Sequence, residues 1–94
     1  MKITNLFWLD NIVEKLARKH RTEPHEVEEV LFSRPHFRFI EKGQRAGEDL
    51  YAAYGRTHSG RKLTVFFIRK KTGTALIVSA REMTAAEWRS YGKA

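Results

Sequence analysis

Two hydrophobic periodicities divide the chain, a helical one in the first third and a strand-like one in the second half. Apolar residues recur three and four positions apart over residues 12–20 and 27–31, which predicts two amphipathic helices. We place their N-caps at Asp10 and Thr22, because short oxygen-bearing side chains there accept hydrogen bonds from the first unpaired backbone N–H groups. His20 then ends the apolar stripe of the first helix.

The second half alternates short apolar runs with turns that contain glycine. Residues 63–68 and 75–78 are nearly unbroken β-rich runs, as in central strands that are covered on both faces. Gly60 and Gly73 lie in the intervening turns and supply the positive φ that short hairpin loops need. The pattern over residues 47–81 therefore predicts three consecutive strands.

Three further elements complete the predicted fold. Residues 3–9 and 36–42 are predicted strands, and Thr84 and Glu87 have the spacing of a capping box at the start of a short final helix. The order β-α-α-β-β-β-β-α predicts a single α+β domain over residues 1–94, with an antiparallel sheet, two N-terminal helices and one short C-terminal helix.

Charge is distributed unevenly between the two halves of the chain. Residues 1–49 contain nine Lys and Arg and nine Asp and Glu, whereas residues 50–94 contain nine bases and two acids, which accounts for the full net charge of +7. A basic half of this kind predicts a face for a polyanion, nucleic acid before membrane. A charged surface that only keeps the protein soluble accounts for the composition equally well.

Several classes of site are excluded or disfavoured. The sequence has no cysteine, so it has neither a disulfide nor a thiolate zinc site. Its four histidines fall on different predicted elements without zinc-site spacing, and we expect no metal and no cofactor. The apolar residues 6–9 are too few for a signal peptide or a membrane span, so a cytoplasmic location is expected.

The remaining chemistry suits RNA cleavage, in which a base and an acid transfer protons and cations stabilise the phosphate. The candidate catalytic residues are His20, Glu48, Arg61 and Arg81, and the candidate nucleic-acid contacts are Arg56, Tyr51, Lys62 and Arg69. From the residues alone, a structural role is favoured for His20, and plain surface charge or strand packing for the others. Trp88 and Tyr91 of the final helix are expected to pack on the sheet or on a partner.

Short motifs along nearly the whole chain resemble the BrnT family of bacterial type II toxins. They are FWLD at residues 7–10, KH at 19–20, GR at 55–56, GRKLTV at 60–65 and IVSAR at 77–81. Two positions depart from the family pattern. Leu9 separates Trp8 from Asp10, which are adjacent in the family, and Arg21 stands where the family has a glycine.

The resemblance implies a RelE-like ribonuclease that cleaves RNA and arrests translation. It further implies a ribbon-helix-helix antitoxin, with operator DNA contacted only through the antitoxin complex. His20 and the arginines sit at matching motif positions, which favours catalytic roles for them. Two other functions stay open at this point: a non-catalytic nucleic-acid-binding module, and a protein-interaction domain that uses the basic face.

Overall fold

The computed structural model describes residues 1–92, so the predicted end of the domain at residue 94 lies outside the described residues. The elements are β1 (Asn5–Phe7), α1 (Asp10–His20), α2 (Pro24–Phe32), β2 (His36–Glu41), β3 (Leu50–Arg56), β4 (Lys62–Arg69), β5 (Thr74–Glu82) and α3 (Ala85–Glu87). A π-helical turn, Trp88–Gly92, continues α3; we call the two together the final helical segment. The predicted α+β class and element order are confirmed.

The strands form one sheet in the order β1-β5-β4-β3-β2. The strands from β2 to β5 are antiparallel neighbours, as predicted. β1 instead pairs in parallel with β5, so the prediction of a wholly antiparallel sheet is wrong at this edge. The reason is that α1 follows β1 closely and packs on β5, which places β1 beside β5 with the chain running in the same direction.

One face of the sheet carries the hydrophobic core. Val27 and Val30 of α2 and Leu16 of α1 are buried against it, together with Val65 and Phe67 of β4. Each side chain of this size contributes roughly 1.5–3 kcal/mol when it is fully buried. We call this the helix-covered face. Because side chains alternate along a strand, the intervening residues of β4 point to the opposite side, which we call the open face.

The two N-terminal helices begin differently from the prediction. The N-cap of α1 is Leu9, without a side-chain cap, and Asp10 is already helical. The N-cap of α2 is Glu23, whose side chain and that of Glu26 form a reciprocal capping box. Thr22 does not cap, because its buried hydroxyl donates to the carbonyl oxygen of His20 at 3.0 Å. Two carboxylates replace the predicted hydroxyl cap.

The strands and turns of the second half mostly match the prediction. β4 is the central strand, and the turn glycines Gly60 and Gly73 have φ of +90° and +87°. β5 is not covered on both faces, since Val78 is 39% exposed where the pairing shifts register opposite Phe66 and Phe67. A bulge of this kind breaks the simple alternation, so the prediction of full coverage is wrong for β5.

Candidate active site

A row of polar side chains crosses the open face at one end of the sheet. His36 of β2 is in register with Tyr54 of β3, Tyr54 with Thr64 of β4, and Thr64 with Arg81 of β5. Neighbouring residues in such a row are close enough for their side chains to interact. Four strands therefore contribute one residue each to this polar row.

The final helical segment lies on this row. Tyr91 stacks on Tyr54, with ring centroids 4.2 Å apart and planes 11° from parallel, and it contacts the His36 ring at 4.8 Å. The predicted capping box is confirmed: Thr84 Oγ1 accepts from the N–H of Glu87 at 3.1 Å, and the N–H of Thr84 donates to Glu87 Oε1 at 2.9 Å. The cap therefore fixes both the start of the segment and the Glu87 carboxylate.

Arg81 and Glu87 form a bidentate ion pair at the end of the row. Nη1 and Nη2 of Arg81 lie 2.7 and 2.9 Å from the two carboxylate oxygens of Glu87. This pairing lowers the pKa of Glu87 to about 2, against the effect of burial, with help from the Thr84 N–H and the Thr64 hydroxyl. Glu87 is therefore ionised at neutral pH and holds the guanidinium in one orientation.

Part of the Arg81 guanidinium is left for another anion. Nη1 also donates to the carbonyl oxygen of Glu82 at 3.1 Å, which uses its second hydrogen. Nε and one hydrogen of Nη2 have no partner within residues 1–92. These two donors form the side edge of the guanidinium, and such a pair matches the spacing of two phosphate oxygens.

Two further cations lie beside the row, around an aromatic ring. Arg56 and Lys62 are paired in register at the ends of β3 and β4. Lys62 Nζ lies 3.5 Å from the centroid of the Trp88 ring, and Cζ of Arg56 lies 5.3 Å from it. The indole thus holds two positive charges close to the end of the sheet where Arg81 lies.

Arg61 is bonded mainly to the protein itself. Its Nη1 donates to Glu26 Oε1 at 2.9 Å and to the carbonyl oxygen of Arg21 at 2.7 Å. Its Nη2 donates to the carbonyl oxygen of His20 at 2.9 Å, and Nε to Glu82 Oε1 at 3.3 Å. Burial acts to raise the pKa of Glu26, yet the Glu23 N–H and Arg61 bring it below its ordinary value. Arg61 therefore ties the end of α1 and the start of α2 to the start of β4.

His20 lies at the same end of the sheet but on the helix-covered side. It borders a shallow depression together with Lys19, Arg21, Arg61 and Glu82. Within residues 1–92 the imidazole makes no hydrogen bond or ion pair. A sheet and the layer packed on it are about 10 Å apart, so one phosphate does not contact both His20 and the open-face side of Arg81.

The other predicted site residues lie at the opposite end of the sheet. Glu48 forms an ion pair with Lys70, with Oε2 3.5 Å from Nζ. Tyr51 stacks on Phe67 on the helix-covered face, and Arg69 ends β4. β4 is eight residues long, which corresponds to about 23 Å between its ends. The structure therefore does not bring Glu48, Tyr51 and Arg69 together with the arginines at the other end.

The row contains residues to which the sequence analysis gave no site role. His36 belongs to the row, Tyr91 packs on it, and the hydroxyl of Tyr54 raises the pKa of the Arg38 guanidinium on β2. A period-two pattern of polar residues carries the signal, as in His36-x-Arg38 on one strand and Tyr54-x-Arg56 on the next. That pattern places each pair on one face, but the pairing of the strands decides which residues meet.

Two kinds of feature are absent from the part of the chain that the structure describes. Within residues 1–92 no group of three or more His, Cys, Asp or Glu side chains is arranged to hold a metal ion. No helix of that part of the chain is long and apolar enough to cross a membrane.

The comparisons with known proteins bear on what this site does. The family model described as "Ribonuclease toxin, BrnT, of type II toxin-antitoxin system" matches residues 8–87. This span includes His20, the polar row up to Arg81, and Glu87. The chain belongs to the BrnT family. The resemblance noted in the sequence is thereby confirmed, and the BrnT family description makes this chain a ribonuclease toxin of a type II system, with RNA as its substrate class and an antitoxin as its partner class.

A solved BrnT structure has the same fold. The crystal structure of the Brucella abortus ribonuclease toxin, BrnT, matches with a TM-score of 0.60 and covers 86% of this chain and 97% of that chain. Sequence identity is 14%, so the match shows the shared fold alone. No protein with curated annotation matches this sequence at a significant level.

Proposed function

We propose that this BrnT family member is an endoribonuclease that cleaves RNA without a metal ion and so arrests translation. A ribbon-helix-helix antitoxin neutralises it, and operator DNA is contacted only through that complex. The observation that carries the proposal is the side edge of Arg81, held in place by Glu87 and open to an anion at one end of a polar row.

The scissile phosphate binds at Arg81, with Lys62 and Arg56 supplying further positive charge from the neighbouring strand ends. Cations that are fixed before the reaction stabilise the charge that the phosphate gains in the transition state. The bidentate pair with Glu87 supplies that fixation, because it removes the rotational freedom of the guanidinium. Phosphate binding therefore costs little reorganisation of the arginine.

His20 and Arg61 contribute from the helix-covered side. Arg61 acts as a positioning residue, because its hydrogen bonds to the carbonyl oxygens of His20 and Arg21 fix the end of α1. The His20 imidazole then faces an adjoining part of the RNA chain, where it binds the RNA rather than transferring a proton at the phosphate that Arg81 holds. Tyr51 and Arg69 are distal RNA contacts, and Glu48 has no part in the proton transfer, because it lies at the far end of β4.

Incubation of the purified protein with single-stranded RNA in EDTA tests the proposal. We expect cleavage, with Arg81→Lys retaining much of the RNA binding but losing roughly 10- to 1,000-fold in rate, about 1.4–4 kcal/mol, because lysine keeps the charge but lacks the fork. Arg81→Ala should lose more. Arg18→Ala is the control, since Arg18 is exposed and forms an ion pair with Glu14 on α1.

The outcomes separate three functions. RNA that is bound but uncut by the wild-type protein indicates a nucleic-acid-binding module, and RNA that is neither bound nor cut indicates a protein-interaction domain. If Arg81→Ala is produced at normal levels without antitoxin and still arrests bacterial growth, Arg81 is not the phosphate-binding residue.

A further inference from the structure

A cleft of about 340 Å³ opens beside the polar row. One wall is the connection from α2 to β2, and the other is the end of β3 with the turn that follows it. The side chains that matter for binding are four bases and two tyrosines: Arg34, His36, Arg56, His58, Tyr54 and Tyr91. The volume lies within the range of small-molecule binding pockets.

The wall from α2 contains a strained residue. Arg34 has φ of +59°, in the left-handed region that non-glycine residues rarely occupy, and it precedes Pro35, which disfavours helical backbone for the residue before it. Pro35 is held because it packs closely on Gly55, where an added Cβ would lie 3.2 Å from the proline Cβ. Strain of this kind persists where the surroundings fix it and is concentrated at binding sites.

The opposite wall is anchored by an acid. The N–H of His58 donates to Glu29 Oε1 at 2.8 Å, and His58 Nδ1 lies 3.6 Å from Glu29 Oε2. On the first wall His36 is exposed and lies against Tyr91. Basic side chains therefore lie on both walls of the cleft, and the rings of Tyr54 and Tyr91 also line it.

We propose that this cleft binds one nucleotide of the RNA chain, adjacent to the phosphate at Arg81, an inference that rests on the proposed function. Single-stranded RNA is bound by cations along its backbone and by rings on which its bases stack. The cleft offers both, with Arg34 for a phosphate and His36 and Tyr91 for a base. Arg56 lies over Trp88 and also lines the cleft. The cleft therefore adjoins the cations that lie beside Arg81.

Arg34→Gly gives a sharp test, because glycine removes the charge and also relieves the left-handed backbone. The variant should be at least as stable as the wild type, so a loss of binding cannot reflect unfolding. The ligand is a single-stranded 2′-O-methyl RNA of about ten nucleotides, which cannot be cut because its nucleophilic hydroxyl is blocked. We expect roughly 5- to 10-fold weaker binding and a salt slope that is smaller by about 0.7, one phosphate contact.

His36→Ala tests the stacking part, with an expected loss of several-fold in affinity and an unchanged salt slope at pH 8. Arg18→Ala is the matched control for charge, and its affinity should stay within twofold of the wild type. The inference is overturned if Arg34→Gly and Arg18→Ala weaken binding equally, since only the overall charge then acts. It is also overturned if Arg34→Gly binds RNA normally but loses affinity for the antitoxin, since the cleft then holds an acidic protein segment.

The same experiment distinguishes this inference from the proposed function. If the wild-type protein binds the RNA through the cleft but leaves unmodified RNA intact, the proposed function fails and the nucleotide site stands. If it cuts RNA while Arg34→Gly and His36→Ala bind and cut as well as the wild type, the nucleotide site fails and the proposed function stands.

Discussion

The three arginines at one end of the sheet differ in what already binds their guanidinium groups. Arg61 donates to two carboxylates and two main-chain carbonyl oxygens. Arg81 is held by one carboxylate and keeps one edge for an anion. Arg56 lies over the Trp88 ring. At the scale of the single residue, these partners separate Arg61, which is bound by the protein itself, from Arg81, which keeps donors for RNA.

Arg61→Lys should therefore destabilise the protein more than it changes RNA contact. Lysine keeps the charge but cannot reach Glu26, Glu82 and two carbonyl oxygens at once, so we expect a loss of about 2–3 kcal/mol in the free energy of unfolding, measured in urea. Arg18→Lys at an exposed pair should change it by less than about 0.5 kcal/mol. Lost cleavage with an unchanged unfolding midpoint would assign Arg61 to the RNA instead.

The Arg81–Glu87 pair predicts a specific acid dependence of stability. The pKa of Glu87 falls from 4.5 to about 2 on folding, so its contribution is complete above pH 4.5 and is lost as the pH falls toward 2. The shift corresponds to about 3 kcal/mol. Urea unfolding of wild type and Glu87→Gln should differ most at pH 6.5 and converge between pH 4.5 and 2. A difference that is independent of pH would mean that Glu87 is not paired in solution.

Arg21 ends α1 in a backbone conformation that favours glycine. Arg21 is the C-cap of α1 with φ of 50° and ψ of 39°, a left-handed conformation that costs a residue with a side chain about 1–2 kcal/mol. Arg21→Gly should therefore raise the free energy of unfolding by about 1 kcal/mol. Arg21→Ala, which keeps the strain, should leave it unchanged. Equal gains in both variants would trace the effect to charge rather than backbone.

At the scale of elements, the sequence predicted the features that depend on interactions between nearby residues. The capping box at Thr84, the turn glycines and the apolar face of α2 were all confirmed, since each depends on residues a few positions apart. The cap at Thr22 was wrong because a neighbouring carboxylate pair competed with it. The parallel pairing of β1 with β5 was not predicted. It depends on how α1 packs, and the sequence of the short strand β1 does not indicate that packing.

The candidate site was less predictable than the fold. Four strands bring His36, Tyr54, Thr64 and Arg81 into one row, and a row depends on register, which the sequence of a single strand leaves open. The site prediction therefore placed Glu48 with the arginines, although Glu48 and the arginines lie at opposite ends of β4. The partner of Arg81 was missed for a related reason, because Glu87 was interpreted only as a helix cap.

Glu87 holds the final helical segment in two ways, because it completes the capping box with Thr84 and forms an ion pair with Arg81. Thr84→Ala removes the hydroxyl that accepts from the Glu87 N–H, and we expect a loss of about 1 kcal/mol in the free energy of unfolding. The Thr84 N–H still holds the carboxylate, so RNA cleavage should persist at temperatures where the fold does. Thr84→Ser, which keeps the cap, is the matched control. A cleavage defect in Thr84→Ala at an unchanged unfolding midpoint would make Thr84 a site residue.

At the scale of the whole molecule, the excess charge lies where the site is. The net charge of +7 arises in residues 50–94, and Arg56, Lys62 and Arg81 of that half meet at one end of the sheet. The nearby acids are engaged, Glu87 by Arg81 and Glu82 by Arg61. The positive electrostatic potential at this end of the sheet attracts a polyanion and orients it there.

Binding of single-stranded RNA should therefore be strongly salt-dependent. If Arg56, Lys62 and Arg81 each neutralise one phosphate, log affinity falls with log salt at a slope of about −2, and with Arg34 in the cleft at about −3. The measurement uses 2′-O-methyl RNA between low and moderate salt, with Lys62→Gln expected to reduce the slope by about 0.7. Lys15→Gln on α1, exposed and far from the row, is the control with an unchanged slope. A wild-type slope near zero would contradict a basic binding face, because the charge would then serve some purpose other than RNA.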